Sequence, residues 1–458
     1  MFDPPNESPP TPELLDLENL PLGTRANPVP EVMLAAGYHS QVSVPHTVQR
    51  DLMHGMQLPG WDGKLLNFFL FRDQDNPSTG NGNFPAATLR MPRGAIFHGA
   101  TLGHGPPPHT IHWHGIEPTP INDGVGHCSM ELGNYTYQWQ PNFMGFYFYH
   151  CHRNTVQHFE YGLYGAMIFE APDAYFASID SINPDGTVEL NDIPIGAGTD
   201  GLHRVQCNLD PVVTGRPNPF PGFTKGTPVG VENGDPHAYT VPYDVEAVWV
   251  CDDRDSVWSD FAPDPRAFFP KHGNQPGVND EFFRGFFHDY NADYWFITGV
   301  PVPAARIDRG GTGIGTINPA GAPPAGGGLP DGEIPPALMS GISGTQVAIN
   351  ARVNQTILIR CLDAAYNYAR VTFPIPVAII AFDGRALGVP PFGNYNTAFL
   401  LPAGRPILLS TARRFDAITR SGRPFSGFAF VEFLDTQSNT AGPGRRLMTA
   451  RIPINITT

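Results

Sequence analysis

The stretch "GFYFYHCHRNTVQHFEYGLYGAMIF", Gly145–Phe169, holds three histidines and a cysteine within nine residues, inside a run that otherwise reads as a buried strand. Side chains of a strand alternate between its two faces. His150 and His152 therefore share one face, and Cys151 points the opposite way. A second stretch, "HTIHWHGI" (His109–Ile116), has the same parity. His112 and His114 share a face, and His109 points to the other. If the two strands are neighbours, one surface collects His112, His114, His150 and His152, and the other collects His109 and Cys151. His158 and Leu163 follow in the return loop, which can close over Cys151.

This division separates two kinds of chemistry. A thiolate with two imidazoles and a weak or absent axial ligand is the arrangement of a blue copper site. His109, Cys151 and His158 supply it, and Leu163 at the axial position leaves that copper three-coordinate. An all-imidazole face suits copper that meets oxygen or water. Cys151 is covalently bonded to both His150 and His152, so a short through-bond path joins the faces. A closed tetrahedral zinc site matches this donor set poorly. The other histidines, among them His39, His46, His54, His203, His237, His272 and His288, stand alone in their segments. A lone histidine is more often a hydrogen-bonded core or surface residue than a ligand.

The rest of the chain sets the frame. A length of 458 residues exceeds one ordinary core and predicts two domains. Glycine and proline number 50 each, and short apolar runs end in turn residues throughout, which predicts a mostly β chain. The expected fold is all-β, with two Greek-key β-sandwich domains and long loops. The boundaries read as a Pro-rich arm over 1–60, a copper-binding domain over 61–172, linker and inserted loops over 173–240, and a second domain without copper motifs over 241–458. The net charge of -15 speaks against nucleic acid or an anionic membrane surface as partner. No apolar run approaches the length of a membrane span. The start, "MFDPPNESPP", is acidic and Pro-rich and does not read as a signal peptide. Five cysteines allow up to two disulfides and one cysteine with another task, which suits a periplasmic or extracellular setting.

The two histidine stretches resemble the motifs of the multicopper oxidases, a family built from cupredoxin domains. "HTIHWHGI" is similar to the family's first histidine motif, and "HCH" followed by "HFEYGL" is similar to its type 1 copper motif. The resemblance implies His109, Cys151 and His158 as type 1 ligands with Leu163 axial. It also implies His112 as a type 2 ligand, and His114, His150 and His152 as type 3 ligands. "NDGVGHCSMELGNYTYQW" resembles the family's stretch from an Asp-Gly pair to a cysteine, which implies Asp123 as a carboxylate near the cluster that helps move protons to oxygen. On its own, Asp123 reads as a turn residue before Gly124. The implied partners are a small reducing substrate or a redox protein, and O2.

Two departures stand out. The spacing from Cys151 to His158 is two residues longer than the family pattern, and only one set of histidine motifs is present where the family uses two. "CLDAAYNYARVTFPIPVAIIAFDG" (Cys361–Gly384) resembles a copper-free domain of the family. A second copy of the chain with its histidine face turned inward, a different protein, or a smaller copper complement as in copper nitrite reductases would each resolve the shortfall. The resulting expectation is a copper oxidase whose cluster is completed by another subunit. The alternatives are a copper electron carrier and a structural assembly protein.

Overall fold

The computed structural model describes residues 46–73, 84–92, 97–102, 109–116, 118–125, 135–139, 141, 144–153, 155–170, 203–207, 240–261, 290–302, 307–308, 316–317, 347–388, 397–436 and 444–458. Strands dominate. In the first half they are β1 (His46–Pro59), β2 (Leu65–Asp73), β3 (Ala86–Pro92), β4 (Phe97–Leu102), β5 (His112–His114), β6 (Tyr135–Trp139), β7 (Gly145–His150) and β8 (Tyr164–Glu170). They form two four-stranded sheets, in the orders β2-β1-β4-β6 and β3-β8-β7-β5. The pairs β1–β4 and β3–β8 are parallel, so the chain crosses between the sheets rather than running as a simple meander. The second half packs an eight-stranded sheet against a five-stranded one. The described residues form an all-β pair of sandwiches.

Two boundaries differ from expectation. Residues 46–59 are not part of an arm: β1 pairs with both β2 and β4 and belongs to the first sandwich. The stretch 173–240 is not linker throughout. Its β9 (His203–Gln206) pairs with β10 (Thr240–Tyr243), and the neighbouring Cys207 is buried in the core of the second sandwich. The remainder of the proposed arm, and most of that linker, lie outside the described residues. So does most of the Gly/Pro loop Asp308–Pro336, from which only a two-stranded ribbon, Ile307–Asp308 with Thr316–Ile317, is described. The described cysteines Cys151, Cys207, Cys251 and Cys361 are buried free thiols, and Cys128 lies outside the described residues.

β7 explains how the halves join. All six of its residues are buried, which a strand achieves only when both faces are covered. Tyr147 and Tyr149 point into the first sandwich, among Phe71, Trp113 and Phe169. Phe146 and Phe148 point the other way, into a separate cluster. That cluster also contains Leu66, Phe68, Phe84 and Phe159 of the first half, and Val248, Val250, Phe296 and Leu362 of the second. The seam is thus an apolar core shared by both sandwiches. Full burial of each such side chain contributes about 1.5–3 kcal/mol, so these residues hold the halves as one packed unit.

Close backbone approach tightens the seam. Gly384 has φ +79, and a Cβ there would lie 2.3 Å from the Tyr147 ring. The Tyr147 hydroxyl donates to the Gly384 carbonyl at 2.7 Å. Buried charge from the second half enters the same seam. In β11 (Val245–Arg254), the Arg254 guanidinium lies over the Phe68 and Phe84 rings at 4.9 and 4.8 Å and pairs with Asp252 at 3.0 Å.

Two outcomes follow from these contacts. Gly384→Ala meets both the strained backbone and the Tyr147 ring, and should lower unfolding free energy by about 1–3 kcal/mol in urea denaturation. Burial raises the Asp252 carboxyl to about 7, against the opposing pull of Arg254. The folded state therefore holds this proton more tightly than the unfolded state. Its contribution is present in full at pH below about 4 and is lost as pH rises toward 7. Asp252→Asn should flatten that part of the stability–pH curve, read as melting temperature between pH 4 and 8; an unchanged slope would contradict the assignment.

Candidate metal centre

β5 and β7 are antiparallel neighbours, with His112 opposite His150, Trp113 opposite Tyr149 and His114 opposite Phe148. Alternation then does what the sequence predicts. Trp113 and Tyr149 turn into the first core, and His112, His114 and His150 share the other face. Their rings lie 5.2–5.5 Å apart, centre to centre. One ligating nitrogen from each falls within 4.8 Å of the others. His152 joins the group, with its ring 5.1 Å from His112 and 5.7 Å from His150. His114 Nδ1 and His150 Nε2 are 3.3 Å apart.

Asp123 lies beside His112, and the local backbone explains why. A 3-10 turn over Pro120–Asn122 leads into Asp123. Gly124 follows with φ +73, where any Cβ would lie 1.7 Å from the Ile111 carbonyl oxygen. Only glycine fits there, and the chain is thereby pressed against the start of β5. His112 Nδ1 is 2.7 Å from the Asp123 carbonyl oxygen and 3.2 Å from its carboxylate. A histidine whose Nδ1 is held this way presents Nε2 outward in a set orientation. The side chains of His112 and Asp123 keep 16% and 27% exposure, so this edge of the face is partly exposed.

The opposite side of β7 holds the second group. Cys151 Sγ lies 3.2 Å from His158 Nδ1 and 3.7 Å from His109 Nδ1, and all three residues are buried. Sequence reading treated the segment before His158 as a return loop. It is a helix, α1, over Thr155–Glu160. The two extra residues in the Cys151–His158 spacing are absorbed by this turn, which brings His158 back over the thiol. Leu163 is fully buried beside Cys151. Its carbonyl accepts the Cys151 N–H at 3.0 Å, and its own N–H donates to the His158 carbonyl at 3.0 Å.

The electrostatics fit a soft cation. Burial lowers His109 to about 4 and takes His158 well below its ordinary range. Both rings are therefore neutral, the protonation state in which an imidazole nitrogen can ligate a metal. Burial also raises the Cys151 thiol to about 11, so a thiolate there needs a cation beside it. His109 Nε2 is buried and has no hydrogen-bond partner among the described residues. On the histidine face, burial, Arg414 and the neighbouring imidazoles lower His114 to about 3. Burial likewise takes His150 well below its usual value.

Comparison with known proteins bears on the same segment. Residues 72–174 match the family model of multicopper oxidases. The matched stretch contains both histidine segments, from His109 to His158. No curated protein matches the chain. Among solved structures it is similar to the blue copper oxidase from Nitrosomonas europaea, at 16% identity over 90% of this chain and 86% of that one, with a TM-score of 0.48. It is also similar to the copper nitrite reductase from Nitrosomonas europaea, at 13% identity over 90% and 93% of the two chains, with a TM-score of 0.44. The multicopper oxidase McoA from Aquifex aeolicus is 13% identical over 90% of this chain and 62% of that one, with a TM-score of 0.45.

Sequence reading missed what the second half brings to the histidine face. Arg414 is buried there, over the Phe148 ring at 5.2 Å, and donates to the Phe146 and Ala412 carbonyls. Its guanidinium also comes within 2.8 Å of where a Cβ on Gly115 would sit. Among the described residues, the second half meets this face with an arginine and not with histidines. Nothing in "TARRFDAITR" distinguishes Arg414 from its neighbour Arg413 as the one that reaches this face. His272 and His288 lie outside the described residues. Gly124→Ala should loosen the turn that holds Asp123 against His112, seen as faster amide hydrogen exchange over 120–125 with the remainder of the first sandwich unchanged.

Proposed function

We propose that this chain is a copper oxidase that takes single electrons from a reducing substrate through the Cys151 side of β7 and passes them to O2 on the histidine side. The observation that supports it best is the two-sided strand: Cys151 lies against two buried neutral imidazoles, while adjacent His150 and His152 face a second group of imidazoles with a partly exposed edge. His109, Cys151 and His158 would hold one copper, with Leu163 as a buried apolar neighbour. His112, His114, His150 and His152 would hold the others. Copper at the first position supplies one-electron transfer, and copper at the second supplies the four-electron reduction of O2 to water.

The protein's own part is positional and protonic. Burial excludes water from the thiol and keeps both of its imidazoles neutral. The backbone of β7 joins the two faces through one residue. Asp123 fixes His112 through its carbonyl and carboxylate, and is exposed enough to exchange protons with solvent. One chain offers a single set of four histidines, so we propose that a second copy faces it across the histidine side. A two-fold arrangement lets one set of residues serve both halves of a shared cluster. The electron donor is a small reducing molecule or a redox protein, and the setting is periplasmic or extracellular.

A second reading keeps the Cys151 site and dispenses with oxygen chemistry, making the chain an electron carrier or a nitrite-reductase-like protein. Arg414 beside His114 favours it, because a fixed positive charge there disfavours a second cation. Copper per chain separates the two: about one supports the carrier, whereas the oxidase needs more, together with O2 consumption. Cys151→Ser should abolish the thiolate-to-copper absorption, and a persistent band would refute the assignment. His112→Ala should leave that band in place and lower O2 consumption by at least the ~10–100-fold seen when partners of metal ligands are lost.

A further inference from the structure

Helix α1, which carries His158, has six residues, Thr155–Glu160. Isolated helices of this length do not persist in water, so tertiary contacts must hold it. First-half contacts fix the chain after it: Tyr161 and Leu163 bond to Phe69 and Cys151 through the backbone. The helix itself is gripped from the second half. The Tyr366 hydroxyl donates to the Val156 carbonyl. Arg254 Nη1 donates to the Phe159 carbonyl at 3.4 Å, and Glu160 accepts the Asp255 N–H at 3.0 Å. Just past the helix, the Tyr161 hydroxyl donates to the Trp258 carbonyl at 3.0 Å. The Phe159 ring packs between Tyr164, at 4.7 Å, and Tyr366, at 6.3 Å.

The gripping residues are themselves locked. Asp253 accepts the Tyr366 N–H at 2.9 Å and the Tyr290 hydroxyl at 2.8 Å, and takes a 2.6 Å bond from the Asn367 side chain. Asp252 pairs with Arg254, which is wedged against Phe68 and Phe84. The run "DDRD", Asp252–Asp255, is buried throughout and has no role in the centre described above. It is a fixed frame against which α1 is seated.

We infer that the second sandwich is the splint of the Cys151 site, with Tyr366 and Arg254 as positioning residues that set where His158 Nδ1 lies relative to Cys151 Sγ. Neither touches the metal-binding atoms; both act through the backbone of α1. A domain without copper motifs thus governs the copper site of its neighbour. The consequence for copper rests on the reading under Proposed function, and the docking of α1 does not.

The test uses the full chain in two arms, with Tyr366→Phe, Arg254→Lys and, as control, Arg370→Gln, which removes an ion pair to Glu432 in the five-stranded sheet. Arg254→Lys keeps a cation beside Asp252 and Glu160, and Tyr366→Phe removes only a hydroxyl, so both variants should fold. In the copper-free chain, amide exchange over 155–163 should quicken about five- to tenfold in both variants, as expected for one lost hydrogen bond, and stay unchanged in Arg370→Gln. In the chain loaded with copper(II), both variants should shift the position and relative intensity of the thiolate-to-copper bands and move the reduction midpoint, again without change in Arg370→Gln. Unaltered exchange would overturn the splint. Altered exchange with unaltered bands and midpoint would overturn its control of His158. A wild-type chain lacking the bands would refute the copper reading, leaving the exchange arm to decide the docking of α1.

Discussion

The structure depends on one strand being buried on both faces. β7 places tyrosines in the core of the first sandwich and phenylalanines in the seam with the second, and its period of two leaves no freedom in which side chain goes where. A one-residue slip would put Phe146 and Phe148 into the first core and drive Tyr147 and Tyr149 into the seam. It would also exchange the thiol for imidazoles. The apolar packing along β7 therefore fixes the register at its end, where His150 and Cys151 diverge. Dispersed hydrophobic burial, worth a few kcal/mol per side chain, thereby enforces a chemical separation that no single polar contact would secure.

The same constraint explains the location of the histidine face. His150 continues the row of Phe146 and Phe148, which lies against the second half. The imidazole group thus sits at the rim of the seam, where apolar packing gives way to solvent. Arg414 marks the transition: it covers Phe148, ties the Phe146 carbonyl and lowers the affinity of His114 for protons. The Cys151 group lies on the other side, dry and enclosed. Each environment matches its proposed task, since oxygen must reach one group and water must be kept from the other.

Much of this was legible in the sequence. Alternation assigned His112, His114, His150 and His152 to one face and Cys151 to the other, because the period of a strand is a local property of the backbone. The glycine after Asp123 signalled a turn, and the turn brings Asp123 to His112. Alternation could not reveal that the segment before His158 is helical. "TVQHFE" is too short to show an apolar period, and it is helical because Arg254 and Asp255, each 95 residues from their partners, and Tyr366, 210 residues from Val156, hold it in place. That His46–Pro59 belongs to the first sandwich was also hidden, since "HTVQRDLMHGMQLP" mixes polar and apolar residues and becomes a strand by pairing on both edges.

The sequence by itself determined the donor atoms, their division between two faces and the all-β plan, because composition and strand period act over a few residues. Only the tertiary structure decided how the two halves meet. It set the phenylalanine seam, placed Arg414 beside the histidines and braced α1 with Asp252–Asp255 and Tyr366. These contacts join positions separated by about a hundred residues or more, where no local pattern links one side chain to the other. Their partners are chosen by the shape of two packed sheets.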